Sequence, residues 1–101
     1  MHDKVHRRLR DSVRRGDYVM TLHAEEEMSG DRLTVFDMES AILTGKIVQR
    51  QRDADTREWK YVIRGRSLMG SPLCVVVKLS KTRVLVIITV YSVGPTNGRH
   101  R

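Results

Sequence analysis

His23 stands near the start of a helix predicted in the first half of the chain, where its side chain could do chemistry. Thr21 can cap that helix, so His23 falls in its first turn. Unpaired N–H groups and the helix dipole disfavour added positive charge there, although the adjacent Glu25, Glu26 and Glu27 act in the opposite direction. A neutral imidazole at this point could act as a general base or orient a phosphate. A histidine that only packs and bonds locally is the alternative.

The strands predicted for the second half of the chain supply a second set of polar residues. Side chains alternate along a strand, so Trp59 and Tyr61 share one face and the neighbouring cations share the other. If the strands align, one face presents Lys60, Arg64, Lys78, Thr89 and Tyr91. RNA backbone cleavage uses such groups, because a base activates the 2′-hydroxyl while cations stabilise the charged phosphorane. Solvated strand edges are the alternative, since one sequence does not reveal register.

The aromatic residues of the same strand admit two interpretations. Beside cations, Trp59 and Tyr61 could stack on the bases of a single strand. Core packing is the commoner role, and the chain has only one Phe and one Trp. We therefore expect Trp59 in the core.

The charge balance favours polyanionic partners. Nineteen Lys and Arg against twelve Asp and Glu give a net charge of +7, which suits RNA or DNA first and acidic protein segments second. The cations that we assign to nucleic-acid binding are Arg7, Arg8, Arg14 and Arg15 on the N-terminal helix, with Lys60 from the sheet. A solvated helix face is the alternative interpretation of the four arginines.

Several enzyme and metal-binding classes lack their signatures. The chain has no phosphate-cradling glycine loop, no paired cysteine ligands, no HExxH and no GxSxG. Nucleotide-binding, zinc-finger and serine-hydrolase functions are therefore unsupported. Four scattered histidines and one cysteine also predict no metal or other cofactor.

Length and composition predict one domain, at residues 1–93, followed by a flexible tail at residues 94–101. The single cysteine, Cys74, lies inside an apolar run, so we expect a buried, reduced thiol. The charged start lacks the apolar stretch of a signal peptide, and the run at 84–90 is far shorter than the ~20 residues that span a bilayer. We expect a cytoplasmic protein that does not enter membranes.

Hydrophobic periodicity predicts helices in the first half. Val5, Leu9 and Val13 form one stripe over residues 3–15. A second helix runs from its cap at Thr21 to Gly30. A third begins at Thr34, with Asp37 in the capping-box position, and ends at Gly45.

The period changes to two in the second half, which predicts four strands, at residues 46–52, 58–66, 72–79 and 83–91. Short polar connections favour antiparallel hairpins, and the apolar third and fourth strands should be central. The predicted fold class is α+β, with about three N-terminal helices packed on a curved, four-stranded, mainly antiparallel sheet.

Short motifs between residues 18 and 91 together resemble a known family. They are Tyr18-x-x-Thr21-x-His23-Ala24-x-Glu26-x-Met28, Asp31-x-Leu33-Thr34, Asp37-x-x-x-Ala41-Ile42-Leu43-Thr44-Gly45, Trp59-Lys60-Tyr61-Val62-Ile63-Arg64-Gly65, Val75-Val76-Val77-Lys78 and Ile88-Thr89-Val90-Tyr91. The pattern resembles the small bacterial proteins of domain of unknown function 4258. That family is similar to the RelE, ParE and BrnT toxin superfamily, so the resemblance implies a RelE-like fold.

The resemblance also implies a function and partners. It implies the toxin of a type II toxin–antitoxin system, an mRNA endonuclease acting on free or ribosome-bound RNA and inhibited by a small zinc-ribbon and helix-turn-helix antitoxin. The residues that we expect to be catalytic are His23, Arg64, Lys78, Thr89 and Tyr91. His23 would be the base or a phosphate ligand, Arg64 and Lys78 would stabilise charge, and Thr89 and Tyr91 would position the phosphate.

Two alternatives remain open. Some RelE-like proteins poison gyrase, so a ParE-like gyrase poison is the first. A non-catalytic basic module that binds nucleic acid or an acidic protein is the second, because fold analogy does not determine chemistry.

Overall fold

The computed structural model describes residues 3–94, which form three helices and five strands. The helices are α1 (Asp3–Arg14), α2 (Leu22–Gly30) and α3 (Val35–Thr44). The strands are β1 (Tyr18–Met20), β2 (Lys46–Arg52), β3 (Trp59–Arg66), β4 (Pro72–Leu79) and β5 (Leu85–Ser92). None of the helices in this range is both long and apolar enough to cross a membrane. The predicted tail lies, from residue 95 onward, outside the described residues.

The predicted helices and their end signals are confirmed. Leu9 and Val13 of α1 are buried, and Gly16 ends the helix with a φ of 68°, a left-handed conformation that costs glycine little. The Thr21 hydroxyl accepts a hydrogen bond from the Ala24 N–H at 3.1 Å and caps α2. Thr34 and Asp37 form the predicted capping box of α3.

The sheet has five strands in the order β1-β5-β4-β3-β2, so the prediction of four strands was wrong. β1 pairs in parallel with β5, whereas the other neighbouring strands are antiparallel. β1 was missed because three residues are too short to show an alternating pattern, and its partner, at Leu85–Ile87, is remote in sequence. β4, the third predicted strand, is at the centre.

The hydrophobic core lies between the helices and one face of the sheet. Residues of α1 and α3, among them Leu9, Met38 and Ile42, are fully buried against Ile63 and Val75. Trp59, expected in the core, is only partly buried and packs against the core margin, with the Arg50 guanidinium 4.3 Å from the centre of its ring. The second face of the sheet carries no helix within the described residues, and we call it the open face.

A backbone contact joins α3 to β3 and determines how closely they pack. A Cβ atom at Gly65 would lie 2.0 Å from the carbonyl oxygen of Ala41, a distance that no side chain can occupy. The Thr44 hydroxyl accepts a hydrogen bond from the Arg66 N–H at 3.1 Å just beyond this contact. The absence of a side chain at Gly65 therefore positions the two arginines that flank it, Arg64 and Arg66.

We expect Gly65→Ala to lower the free energy of unfolding by about 3 kcal/mol or more, because backbone rather than a flexible side chain obstructs the new methyl group. Urea denaturation measures the change. Gly30→Ala is the matched control, since a Cβ at Gly30 would meet no atom within 4 Å and should change stability by less than about 1 kcal/mol. Similar losses in both variants would contradict the proposed contact.

Candidate functional site

The strand register confirms that the polar sheet residues converge on one face. Arg64 lies opposite Cys74, and Cys74 lies opposite Tyr91. Lys60 lies opposite Lys78 in the same way, and Thr89 lies opposite Val76. Cross-strand partners project from the same face of a sheet. All five predicted sheet residues therefore lie on the open face.

These residues nevertheless form two groups rather than one. Arg64, Cys74 and Tyr91 form the tyrosine row, and Lys60 and Lys78 form the lysine row. The rows are four residues apart along β4, about 13 Å at ~3.3 Å per residue. Thr89 lies between them. A single phosphate can contact one row but not both.

Tyr91 is the centre of the tyrosine row. Partial burial raises the pKa of Tyr91, and so do its hydrogen bond to the Cys74 thiol and the nearby carboxylate of Glu27. The Arg64 guanidinium lowers the pKa of Tyr91, but its effect is smaller. A phenol is already protonated near neutral pH, and the raised pKa of Tyr91 keeps it so, which makes the side chain a hydrogen-bond donor. Cys74 is buried, as its apolar surroundings predicted.

His23 is connected to the strand that carries Tyr91 through its contact with Glu27. The His23 Nε2 atom lies 3.3 Å from Glu27 Oε2, one helical turn along α2. The other oxygen, Glu27 Oε1, accepts a hydrogen bond from the N–H of Val90, next to Tyr91, at 3.0 Å. The His23 side chain is 64% exposed, so a ligand can reach it. His23 is not packed in the core, and its i,i+4 contact with Glu27 is the local bonding that its alternative interpretation describes, so the role of His23 stays a prediction.

The start of α2 is bonded directly to β5, which holds His23 in place. The N–H of Thr21 donates to the Ile87 carbonyl at 3.0 Å, and its hydroxyl donates to the Ile88 carbonyl at 3.1 Å. The same hydroxyl caps the helix. Thr21 therefore links the helix that carries His23 to the strand that carries Tyr91.

Arg64 also lines a groove of about 530 Å³ beside the tyrosine row. The residues that line this cationic groove are Thr44, Gly45, Lys46, Val48, Arg64, Gly65, Arg66 and Pro72. Lys46, Arg64 and Arg66 contribute positive charge, and none of these lining residues carries a carboxylate. Like charges brought together in this way create a potential that attracts polyanions.

The lysine row is compensated by carboxylates of the connection between β2 and β3. Lys78 Nζ lies 3.0 Å from Glu58 Oε1, and Lys60 Nζ lies 3.5 Å from Asp53 Oδ2. Because each ammonium group has an anionic partner, this row presents less net positive charge than the cationic groove.

The arginines predicted on the N-terminal helix lie away from the open face. Arg7, Arg8, Arg14 and Arg15 are exposed, and α1 packs against α3 on the opposite side of the sheet. Arg14 lies 3.5 Å from Asp11. The structure does not bring these four residues to the tyrosine row.

Sequence reasoning missed three residues of this region. Glu27 was noted only for its charge, although its spacing of four residues from His23 in a helix was a readable signal. Arg66 shares the strand parity of Arg64, which was a second signal. For Lys46 the sequence contained no such signal, because its place beside Arg64 follows from the register of β2 and β3. Within residues 3–94, no three His, Cys, Asp or Glu side chains are grouped as metal ligands.

Fold and site together define an α+β domain whose open sheet face bears a phenol and a guanidinium at one end, with a paired histidine on α2 beside the edge of β5. Residues 20–92 match the family model described as Domain of unknown function (DUF4258). That match spans most of the chain, so the protein belongs to this family, as its motifs indicated. Neither the curated proteins nor the solved structures contain a significant match to the chain.

We expect the Glu58–Lys78 pair to make stability depend on acid pH. Lys78, which donates to the Glu58 carboxylate, holds the pKa of Glu58 below its ordinary value. Because the folded pKa is the lower one, the stabilisation is present above the unfolded pKa and is lost as pH falls through the folded pKa. The urea concentration at the unfolding midpoint should therefore decrease as the pH is lowered below about 4. This decrease should be less steep in Lys78→Met.

Urea denaturation between neutral and acid pH tests this dependence. Lys46→Met is the charge-matched control, because Lys46 lies in the cationic groove rather than beside Glu58. Identical acid dependence in wild type and Lys78→Met would show that the pair contributes nothing.

Proposed function

We propose that this protein is an RNA endonuclease that acts as the toxin of a type II toxin–antitoxin system. The main support for a nuclease is that Tyr91 and Arg64 lie in one row of the open face, while the His23–Glu27 pair on α2 is bonded to the backbone beside Tyr91. The cationic groove begins at the same arginine, so an RNA strand bound there brings a phosphate to these groups.

The proposed reaction is attack by the RNA 2′-hydroxyl on the adjacent phosphorus. His23 removes the 2′-hydroxyl proton while Glu27 orients the imidazole and stabilises its positive charge. The O2′–P bond forms and the P–O5′ bond breaks, leaving a 2′,3′-cyclic phosphate. The protonated His23, or water, returns a proton to the departing 5′-oxygen. Atoms and charge balance without a metal ion.

Arg64 and Tyr91 act on the phosphorane rather than on the proton. The guanidinium of Arg64 can form two parallel hydrogen bonds to its oxygens. Tyr91, whose phenol is protonated at neutral pH, turns its O–H from the Cys74 thiol to a phosphorane oxygen and donates a further hydrogen bond. Such donors stabilise the negative charge that develops in the transition state.

Thr89 and Lys78 take secondary roles in this proposal. Thr89 lies on β5 between the two rows and would position the neighbouring nucleotide. Lys78 would contact a more distant phosphate, and its ion pair with Glu58 would weaken that contact. Lys60 would contact the phosphate beside Lys78, and its ion pair with Asp53 would weaken that contact in the same way.

The toxin role is supported by the resemblance of the sequence motifs to the RelE, ParE and BrnT superfamily. Helices on one face of a sheet and an open opposite face are consistent with a RelE-like fold. In this proposal the protein acts on mRNA in the cytoplasm, free or on the ribosome. Its inhibitor is a small antitoxin of the zinc-ribbon and helix-turn-helix type.

Purified, refolded protein free of any antitoxin should cleave single-stranded RNA in the presence of EDTA. We expect His23→Ala and Arg64→Ala each to reduce the cleavage rate by about 10²–10³-fold. Lys78→Met should retain the rate within about tenfold, because Glu58 already compensates its charge. Circular dichroism should show all three variants folded.

Intact RNA after incubation with folded wild-type protein would overturn the nuclease proposal. Equal losses in Arg64→Ala and Lys78→Met would instead contradict the division into two rows. Inducible expression in bacteria tests the toxin role, through growth arrest and new RNA ends that His23→Ala does not produce. A DNA-damage response without new RNA ends would indicate gyrase poisoning.

A further inference from the structure

A second concentration of positive charge lies at the turn between β4 and β5, where α1 meets the end of the sheet. A cleft of about 160 Å³ opens there, lined by Arg8, Asp11, Ser12, Arg15, Leu79 and Arg83. Three of its lining residues are arginines, from two segments far apart in sequence. We call it the arginine cleft.

Arg83 adopts a backbone conformation that arginine rarely takes. Its φ is 69°, in the left-handed region that favours glycine and asparagine. The turn is closed around it, because the N–H of Arg83 donates to the Ser80 carbonyl at 2.8 Å and the N–H of Ser80 donates to the Val84 carbonyl at 3.0 Å. Glycine would fit this turn with less strain. The arginine side chain is thus held in the cleft at a conformational cost.

The charge of the cleft is only partly compensated. Asp11 is the one carboxylate among the described residues that line it, and Arg14, outside the lining, lies 3.5 Å from that carboxylate. Arg15 lies 4.0 Å from Asp17, and both side chains are mostly exposed. Three guanidinium groups in so small a space repel one another, and the single carboxylate of Asp11, shared with Arg14, does not neutralise all three.

The cleft lies round the end of the sheet from the lysine row. Lys78 faces the open side of β4, whereas its neighbour Leu79 packs against the core and lines the cleft, so the cleft opens on the helix side. Arg83 lies in the β4–β5 turn that separates the two sides. The cationic groove is at the opposite end of β4, where Pro72 lines it. β4 has eight residues, about 26 Å at ~3.3 Å per residue, so a polyanion that reaches both sites crosses the open face and passes round this turn.

We infer that the arginine cleft binds a backbone phosphate of single-stranded RNA, downstream or upstream of the phosphate held at Arg64. This inference rests on the proposed nuclease function and extends it to a second anchoring point. Convergent guanidinium groups match the oxygens of a phosphate. A nucleic-acid backbone carries an anion at every nucleotide, so one strand can follow the groove and the lysine row across the open face and then turn round the end of the sheet into the cleft.

The matched pair Arg83→Gly and Arg57→Gly tests the cleft. Arg57 also has a left-handed backbone, with a φ of 65°, but it lies outside the cleft. Each substitution removes one charge and relieves the same strain, so both should raise the melting temperature by on the order of 4 °C. Only Arg83→Gly should weaken RNA binding.

The probe is a fluorescent 2′-O-methyl oligouridine of about 16 nucleotides, whose affinity is measured by anisotropy over a range of salt concentrations. It lacks the attacking hydroxyl, so binding is measured independently of cleavage. We expect Arg83→Gly and Arg8→Gln each to weaken binding about tenfold, and to reduce the slope of log affinity against log salt by about 0.7. Arg57→Gly should bind as wild type does.

Unchanged affinity and salt slope in Arg83→Gly, while wild type binds and cleaves RNA, would overturn the cleft inference alone. No binding of the probe by wild type would overturn the cleft together with the nuclease proposal. A poly-glutamate peptide is measured in parallel. If Arg83→Gly weakens peptide binding but not RNA binding, the cleft recognises an acidic protein and the inference is wrong.

Discussion

The exposed edge of β5 is the constraint on which the candidate site depends. β1 covers only three residues of that edge, so the N–H groups further along need other acceptors. Glu27 accepts from the N–H of Val90, and Asp31, one turn further along α2, accepts from the N–H of Ser92. α2 thereby closes an edge that could otherwise pair with another chain.

This closure also explains where the proposed acid–base pair, His23 and Glu27, lies. A carboxylate that bonds the β5 backbone through one oxygen has its second oxygen free for a partner, and His23 takes that position. The same strand carries Tyr91 to the open face. The contact between α2 and β5 therefore does two things. It provides acceptors for the N–H groups of the sheet edge, and it brings the residues of the proposed active site together.

The positive charge of the protein is distributed unevenly, and the carboxylates decide where it is effective. Asp53 and Glu58 compensate the lysine row, whereas the lining of the cationic groove contains no acid. Close packing of α3 on β3 at Gly65 brings Arg66 and Lys46 to the same groove. A net charge alone would not distinguish these regions, because it ignores which cations already have partners.

Local signals in the sequence determined the elements and their ends. Thr21, Thr34 and Gly45 mark helix boundaries through hydrogen bonds within a few residues, so these boundaries are readable without the fold. Strand parity likewise determined that Arg64 and Lys60 share one face of β3, whereas their alignment with Lys78 and Tyr91 came from the register of the folded sheet. The family motifs of residues 20–92 are also visible in the sequence itself.

Tertiary structure alone decided the rest. β1 exists as a strand because β5 offers it a partner remote in sequence, and three residues carry too little periodicity to reveal it. The separation of Lys78 from Tyr91 and the contact between Glu27 and Val90 depend on register and on the docking of α2. Register and helix docking both depend on packing between segments that are far apart in the chain. Residue spacing along one sequence does not encode such packing.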